Sequence, residues 1–297
     1  MAFDAARYKQ YEREAYDQVA EAWTAHVAEH TALYSRRLLE LLKPAEGAAL
    51  LDLACGSGHL AVDAATRFRC RVSALDLSEK MLHEARRLAA GVDAIAFHLG
   101  DAEALPFPDG AFDVVACSLG LMYFPDTARA LDEIRRVLRP EGRTGFVVWP
   151  LPHSTPCLRV AIAATAEATV QGPLGALIRL PRVGEWLLFR RIEEHVPGRG
   201  PSPFRFGRRG KLARLLERAG FRSVEIFEDT FVWRYTSFDN FWHSFARATP
   251  PPPGQGRLSR EAAAEIRRRM ERKAAPWRDP WRELAFPMTA LMVKAER

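Results

Sequence analysis

Cysteine is scarce in this chain of 297 residues, and its spacing excludes the common zinc and disulfide frameworks. The cysteines are Cys55, Cys70, Cys117 and Cys157. They stand far apart, whereas structural zinc sites and disulfide-rich secreted folds use closely spaced pairs. His26 and His30 have the spacing of metal ligands on a helix, but Val27 stands where the zinc-protease motif has its glutamate. We therefore expect no metal site.

Long apolar runs and lysine are also rare. No run of about 18 apolar residues occurs, and the N-terminus lacks the apolar centre of a secretion signal. We therefore expect a cytoplasmic protein with no membrane span. Arginine supplies 37 of the 43 basic residues, and the net charge is +6. Because the basic cluster from Arg267 to Arg272 is interleaved with Glu265 and Glu271, a solvated helix explains it, and we expect no nucleic-acid partner.

The most informative stretch is a glycine-rich turn. Ala48 to Leu53 has the length of a buried strand, Ala54 to Gly58 forms a turn, and His59 to Phe68 favours a helix. In this arrangement the backbone can approach a nucleotide-like ligand at a helix N-terminus. A second strand-like run ends at Asp76, where a carboxylate can accept both hydroxyls of a ribose.

A dinucleotide fits this turn poorly, because its fingerprint needs a third glycine inside the helix. Leu60 and Ala61 follow Gly58 instead, and Asp52 stands within the strand beside the turn. The stretch resembles the first motif of class I S-adenosylmethionine-dependent methyltransferases, in which an acidic residue precedes a Gly-x-Gly-x-Gly turn. Ala54 occupies the place of the first glycine, a departure that a small residue tolerates.

Further motifs extend the resemblance over roughly residues 45 to 150, in the order of the family. Ser73 to Met81 is similar to the second motif, and Leu99 to Phe107 to the third. Phe112 to Asp126 is similar to the fourth strand and its loop. Ala130 to Gly142 is similar to the next helix and turn, which lead into a fifth strand from Gly145 to Trp149.

The resemblance implies an S-adenosylmethionine cofactor, S-adenosylhomocysteine as its product, and roles for individual residues. Asp76 would bind the ribose, Asp101 would accept from the adenine N6 amino group, and Ala102 would offer its backbone N–H. Ser118 would present its backbone carbonyl to the amino group of the cofactor. The full cofactor-binding set is Tyr16, Trp23, Asp52, Ala54, Cys55, Gly56, Gly58, His59, Asp76, Leu77, Met81, Gly100, Asp101, Ala102, Ser118, Leu119 and Tyr123.

Alternating strands and helices predict an α/β fold with a doubly wound sheet. The resemblance makes it a Rossmann-like sheet of seven strands, with the last strand antiparallel and helical cap insertions after strands five and six. The expected segments are N-terminal helices over the cofactor (1–47), a cofactor-binding core (48–149), a helical cap over the substrate (150–206), a core helix with strand six (207–234), a second helical insertion containing a proline linker (235–284), and the final strand (285–297).

The acid–base candidates come from the loop after the fourth strand and from the insertions. Tyr123 either acts on the acceptor or packs beneath the lid with Phe124. His153 opens the first insertion, and it contacts the acceptor or lies at the surface. His243 stands in an aromatic amphipathic segment, which either lines a pocket for a flat acceptor or is a packed helix face. The catalytic candidates are therefore Tyr123, His153 and His243.

These features predict a metal-independent enzyme that methylates O, N or C of a small, apolar or aromatic metabolite, as in a bacterial branch near the ubiquinone-biosynthesis-type methyltransferases. The same cofactor motifs are compatible with a cyclase, a pericyclase or a cofactor-binding protein that transfers no methyl group. An RNA or protein methyltransferase is less favoured, and the Asn/Asp-Pro-Pro-Tyr/Phe motif of base-methylating enzymes is missing after strand four. We expect a monomer or homodimer with a small-molecule acceptor.

Overall fold

A computed structural model describes residues 3–180, 183–191, 193, 195–196, 200–250, 259–281 and 283–297. Within these residues, seven strands form one mixed sheet, and a separate hairpin pairs residues 195–196 with 200–201. The seven strands are β1 (Ala49–Leu53), β2 (Arg71–Asp76), β3 (Ile95–Leu99), β4 (Phe112–Ser118), β5 (Leu138–Val148), β6 (Arg222–Tyr235) and β7 (Leu284–Glu296).

The order of strands across the sheet is β3-β2-β1-β4-β5-β7-β6. Neighbouring strands from β1 to β5 are parallel, and β7 runs antiparallel to both β5 and β6. This confirms the predicted Rossmann-like sheet and its antiparallel last strand. The carboxyl ends of β1 to β4 therefore meet at one edge, which is where ligands bind in open α/β sheets.

Helices join and cover the strands. In the described part of the chain they are α1 (Ala5–His26), α2 (Ala28–Leu42), α3 (His59–Arg67), α4 (Glu79–Leu88), α5 (Thr127–Val137), α6 (Pro156–Thr169), α7 (Gly172–Ile178), α8 (Val183–Arg191), α9 (Arg209–Arg218), α10 (Phe238–Ala248) and α11 (Arg260–Ala274). Helix α1 packs against α4 in the core and against α10 in the second insertion, and α6 packs against α11. The N-terminal helix thus bridges the core and the second insertion.

The central strands are apolar on both faces because helices cover both sides of a parallel sheet. Leu50, Leu51 and Leu53 of β1 are fully buried, as are the inward residues of β4. Helix α2 is fixed to this core by Tyr34, whose fully buried hydroxyl donates to the carbonyl of Met288 at 2.7 Å. That bond satisfies a polar group that would be costly to bury alone.

The fifth strand begins earlier than the sequence predicts. It starts at Leu138 rather than Gly145, because Leu138 already pairs with Phe112 before the ladder resumes at Arg143 and Val114. The intervening residues, which include Pro140 and Gly142, form an irregularity in the strand. Proline and glycine suggest a turn in the sequence, whereas the sheet accommodates them as a bulge.

The two insertions are joined by ion pairs. Glu167 of α6 accepts from Arg269 at 3.1 Å and from Lys273 at 2.7 Å, both on α11. Glu185 of α8 accepts from Lys273 at 3.0 Å and from Arg159 at 2.6 Å. Basic residues of α11 therefore fasten the second insertion to the first. Of the expected proline linker, residues 251–253 lie outside the described residues.

No helix in the described part of the chain combines the length and apolar character that a bilayer span requires.

Candidate active site

A cavity of about 350 Å³ opens at the carboxyl edge of the sheet, and two different kinds of wall enclose it. We call the end formed by the turns after β1 to β4 the turn half. Its lining includes Asp52, Ala54, Cys55, Gly56, His59, Asp76, Leu77, Met81, Gly100, Asp101, Ala102, Ser118 and Leu119. We call the other end the aromatic half. Its lining includes Trp149, Leu158, Ala161, Ile162, Trp233, Tyr235, Phe241 and Phe245.

The turn after β1 is a tight left-handed bend that leads directly into α3. Ala54, Gly56 and Gly58 have φ values of 56°, 52° and 83°. Gly58 is the N-cap residue of α3, and a Cβ there would lie 2.9 Å from the Cβ of Ala85 on α4. Gly58 therefore serves close helix packing, and it does not line the cavity. The N-terminus of α3 faces the turn half, because its first residues, His59 and Leu60, line the cavity.

Asp76 ends β2 beside this turn and is held by backbone donors. Its Oδ2 accepts from the N–H of Gly56 at 2.8 Å, and its Oδ1 accepts from the N–H of Ser78 at 2.9 Å. Burial raises the pKa of Asp76, while these backbone hydrogen bonds act in the opposite direction. The carboxylate is thus fixed in orientation, and each oxygen keeps lone pairs for a further donor.

Asp101 follows β3 and connects the core to the N-terminal helix. Its Oδ1 accepts from the N–H of Glu103 at 2.9 Å, and its Oδ2 accepts from Lys9 of α1 at 2.7 Å. Lys9 also pairs with Glu103. This cation was not part of the sequence prediction, since the contact spans 92 positions along the chain. Lys9 fastens α1 over the turn half.

Asp52 is a buried carboxyl, and one of its oxygens has no hydrogen-bond donor. The residue is 1% exposed, and its Oδ2 has no hydrogen-bond partner. Burial raises its pKa to about 8, with a backbone hydrogen bond from Ala61 opposing the shift. A buried acceptor without a partner is costly in a finished protein. An ammonium or other donor bound in the cavity would satisfy it, so the turn half fits a ligand that carries one.

The loop after β4 presents Tyr123 to the cavity. Leu119 adopts a left-handed φ of 61°, a strained conformation for leucine of the kind that concentrates at functional sites. Gly120 is required next to it, because a Cβ there would lie 2.7 Å from the Cβ of Ala54. Tyr123 then follows in a short helical turn, its ring 6.4 Å from that of Tyr16. Burial raises the pKa of the Tyr123 hydroxyl well above 10, so it stays protonated at neutral pH.

Arg205, at the end of the first insertion, holds this loop in place. Its guanidinium donates to the carbonyls of Leu121 and Phe124, at 3.3 Å and 2.5 Å, and to the hydroxyl of Thr127 at 2.7 Å. The sequence showed only a cluster of arginines here. The structure makes Arg205 the link between the cap and the loop that carries Tyr123.

One face of α1 forms a wall of the cavity. Tyr8, Glu12, Tyr16 and Trp23 all line it. Their spacing of four, four and seven positions places them on one side of a helix. Tyr16 and Trp23 were predicted, whereas Tyr8 and Glu12 were not. The sequence feature that could have identified them is the helical spacing of Tyr8, Glu12 and Tyr16, each four positions from the next.

The aromatic half is built by side chains that meet edge to face. The rings of Trp149 and Trp233 lie 5.8 Å apart at 72°, and His30 stacks on Trp233 at 5.0 Å. Burial lowers the pKa of His30, so its ring is neutral near pH 7. The hydroxyl of Tyr235 lies 3.8 Å from the sulfur of Cys157. Such a wall favours a flat, apolar ligand.

Two of the three catalytic candidates lie outside the cavity. His153 is exposed beside the start of α6, and His243 is exposed on α10. On α10 the buried residues Phe241 and Ser244 face inward, and His243 points away because successive residues turn by about 100°. The structure therefore does not support acid–base roles for these histidines. Apart from Gly58, every residue of the predicted cofactor set lines the cavity.

No cluster of three or more His, Cys, Asp or Glu side chains suited to a metal ion occurs among the residues that the structure describes.

Comparison with known proteins agrees with the fold and assigns the chain to a family. Residues 51–146 match the family described as a methyltransferase domain. The chain is 32% identical over 225 residues to nocamycin O-methyltransferase of Saccharothrix syringae, covering 72% of this chain and 74% of that protein. It is 31% identical over 200 residues to demethylmenaquinone methyltransferase of Staphylococcus aureus, covering 67% and 78%. The solved structure of the [4+2]-cyclase SpnF aligns with a TM-score of 0.57 at 18% identity, covering 97% of this chain and 96% of that one.

The sheet order, the glycine turn and the acidic strand ends define a class I methyltransferase fold. The chain belongs to the S-adenosylmethionine-dependent methyltransferase family, and S-adenosylmethionine is its cofactor. The turn half fits this cofactor, since Asp52 has a buried oxygen that lacks a donor and Asp76 retains lone pairs at the end of β2. The likeness to SpnF shows the shared fold alone.

Proposed function

We propose that this enzyme transfers the methyl group of S-adenosylmethionine to a small, flat, largely apolar molecule bound in the aromatic half. The observation that carries the proposal is the continuity of the cavity, because residues of the turn half and of the aromatic half line one pocket. When bound, the cofactor supplies an activated methyl group on a sulfonium. The chain then has to align the acceptor and exclude water, and alignment alone can contribute roughly 7–11 kcal/mol.

The proposed cofactor contacts follow from the side chains of the turn half. Asp76 binds the ribose hydroxyls, Asp101 and the backbone of Ala102 bind the adenine, and Asp52 accepts from the ammonium of the methionine portion. Leu77 and Met81 supply apolar contact with the adenine. These assignments are supported by the fixed carboxylate of Asp76 and the orphaned oxygen of Asp52.

The acceptor class is supported by the walls and by the named relatives. Tryptophan, tyrosine and phenylalanine line the aromatic half. The two relatives described above are named for nocamycin and demethylmenaquinone. The basic residues of α11 also argue for a small acceptor, since Arg269 and Lys273 are paired with carboxylates of the first insertion. Pairing removes positive charge that a nucleic-acid groove would need.

The test is transfer of a labelled methyl group. The protein is incubated with methyl-labelled S-adenosylmethionine and a panel of phenols, hydroquinones, aromatic amines and aromatic acids. The expected result is label in a small-molecule product together with S-adenosylhomocysteine. Label in RNA or protein, or in none of the panel while the cofactor binds, contradicts the proposal.

A cyclisation reaction is the second candidate, because the cofactor motifs alone are compatible with a protein that binds S-adenosylmethionine and transfers no methyl group. The same experiment separates the two. A product that forms without label and without consumption of the cofactor would establish chemistry other than methyl transfer.

A further inference from the structure

Glu12 is an acidic side chain that lines the cavity beside a group of tyrosines. It lies on α1, one turn after Tyr8 and one turn before Tyr16, on the face that encloses the cavity. The hydroxyl of Tyr8 donates to the carboxylate of Glu12. Tyr16 in turn exchanges a hydrogen bond with Tyr123 on the loop after β4. Glu12 therefore stands where the N-terminal helix meets the loop that closes the turn half.

We propose that Glu12 is the general base of the reaction and that the acceptor is a phenol whose ring occupies the aromatic half. This inference rests on the proposed function. The bond that breaks joins the methyl group to the sulfonium sulfur, which keeps the electron pair and becomes the neutral thioether. The bond that forms joins the methyl group to the phenolic oxygen. The proton of that hydroxyl passes to the carboxylate of Glu12 and leaves to solvent after the product departs.

The charge environment suits this role. Burial raises the pKa of Glu12 to about 7, and the hydrogen bond from Tyr8 acts to lower it. A base with a pKa near the working pH is the most effective. Titratable side chains from three segments of the chain surround Glu12. Tyr8, Arg13 and Tyr16 share its helix, Tyr123 faces it from the loop after β4, and Arg205 acts on Tyr8 from the end of the first insertion.

The other ionisable groups of the cavity suit the role less well. Lys9 is engaged by Asp101 and Glu103, and the hydroxyl of Tyr123 is held protonated by burial. Asp52 is the residue proposed to accept from the ammonium of the cofactor, so it is not available to the acceptor. Glu12 is thus the carboxylate that α1 presents to the cavity, beside the loop that carries Tyr123.

The experiment compares Glu12→Gln with Glu14→Gln in the full-length protein. Glu14 is exposed on the same helix and bonded to Gln10, so its substitution controls for the change of residue type. Labelled methyl transfer to simple phenols is measured from pH 5.5 to 9. These phenols ionise near pH 10, as tyrosine does. A rising limb near pH 7 in the plot of rate against pH therefore reports a titrating group of the enzyme. Thermal unfolding with S-adenosylhomocysteine verifies that each variant is folded.

We expect the wild-type kcat to rise with pH through about 7 and then level, because the deprotonated carboxylate is the active form. Glu12→Gln should lower kcat by about 100-fold or more and remove this limb, with KM and cofactor affinity nearly unchanged. Glu14→Gln should match the wild type. Tyr8→Phe should move the limb to higher pH, since the lost hydrogen bond had lowered the pKa of Glu12.

A second readout needs no turnover. Infrared difference spectra of the S-adenosylhomocysteine complex should show a protonated carboxyl that titrates near pH 7 in the wild type and is missing in Glu12→Gln. If Glu12→Gln transfers label at the wild-type rate with the same pH limb, Glu12 is not the base, and the proposed function stands. If the wild type labels no phenol but labels other small molecules, the phenol assignment fails. If no small molecule is labelled while the cofactor binds, the proposed function itself fails.

Discussion

The two halves of the cavity achieve binding by different physical means. The turn half uses backbone: left-handed turns, a helix N-terminus and carboxylates fixed by N–H donors, as in the pairing of Asp76 with Gly56 and Ser78. The aromatic half uses side chains from the end of β5 onward (Trp149) and from β6, α6 and α10, which meet through ring contacts such as that of Trp149 with Trp233. Backbone geometry admits few substitutions, whereas a wall of side chains can be rebuilt residue by residue. One fold can therefore keep its methyl donor while its acceptors differ.

The contrast predicts that damage to the turn half weakens cofactor binding most. Asp76→Ala removes the acceptor proposed for two ribose hydroxyls, and charge-assisted hydrogen bonds of this kind are strong. The affinity for S-adenosylmethionine should fall by about 2 kcal/mol or more, roughly 30-fold. Isothermal titration calorimetry measures it, with Asp132→Ala on the exposed face of α5 as the control. Equal affinity of Asp76→Ala and wild type would contradict the ribose assignment.

Damage to the aromatic half should instead spare the cofactor. Phe245→Ala removes a ring from the wall and should raise the KM for the acceptor about tenfold, the effect of losing roughly 1.5 kcal/mol of apolar contact. The affinity for S-adenosylmethionine should not change. His243→Ala lies on the exposed side of the same helix and should leave both quantities at wild-type values. A large loss of cofactor affinity in Phe245→Ala would contradict the view that the two halves bind different ligands.

Asp52 should make cofactor binding in the turn half depend on pH. Its pKa of about 8 in the folded protein means that the carboxyl is mostly protonated at pH 7. Binding of the cofactor ammonium should lower that pKa and release close to one proton per molecule bound. Calorimetry at pH 7 in buffers of different ionisation enthalpy counts the protons. Cofactor binding to Asp52→Asn should release fewer protons. Equal proton release by the variant and the wild type would contradict the placement of the ammonium on Asp52.

The same group affects the stability of the free protein. Since the folded pKa lies above the ordinary value of 3.8, the folded state binds the extra proton between about pH 4 and pH 8. The free energy of unfolding should therefore fall as pH rises through this range. Asp52→Asn should flatten that part of the curve in urea titrations, with the exposed variant Asp132→Asn as its control. An unchanged slope would show that Asp52 ionises normally.

The smallest expected effect concerns the turn itself. Ala54 holds a left-handed φ of 56°, which glycine adopts without the Cβ penalty. Ala54→Gly relieves that strain but adds freedom to the unfolded chain, so the net gain should be about 0.5 kcal/mol. Chemical denaturation measures it, and Ala61→Gly within α3 should be destabilising in comparison. Loss of stability in Ala54→Gly would show that the methyl group is needed for packing.

Sequence predicted the turn half well because its information is local. Asp76 stands only 20 positions after Gly56, and the order of the motifs places Asp52, Asp76 and Asp101 at or beside successive strand ends, where the structure also has them. The contacts that sequence missed join distant segments: Lys9 meets Asp101 across 92 positions, and Arg205 meets Phe124 across 81. No local pattern reports such pairs.

The histidines show a second limit of prediction from sequence. The spacing around His243 correctly predicted an amphipathic helix, Phe238–Ala248. Which residues of that helix face the cavity depends on its packing against α1, and His243 lies on the outer side. Conversely, Glu12 reads as one more charge on a helix until the fold places its face toward the cavity. Proton-transfer groups were therefore the hardest part of the site to predict.

The most direct test of the two-part cavity is a crystal structure with S-adenosylhomocysteine and a phenolic acceptor. The account predicts the ribose on Asp76, the adenine beside Asp101, the ammonium on Asp52, and the thioether sulfur facing a phenol held among Trp149, Trp233 and Phe245. An acceptor bound outside the aromatic half, or a sulfur that faces away from it, would contradict the account.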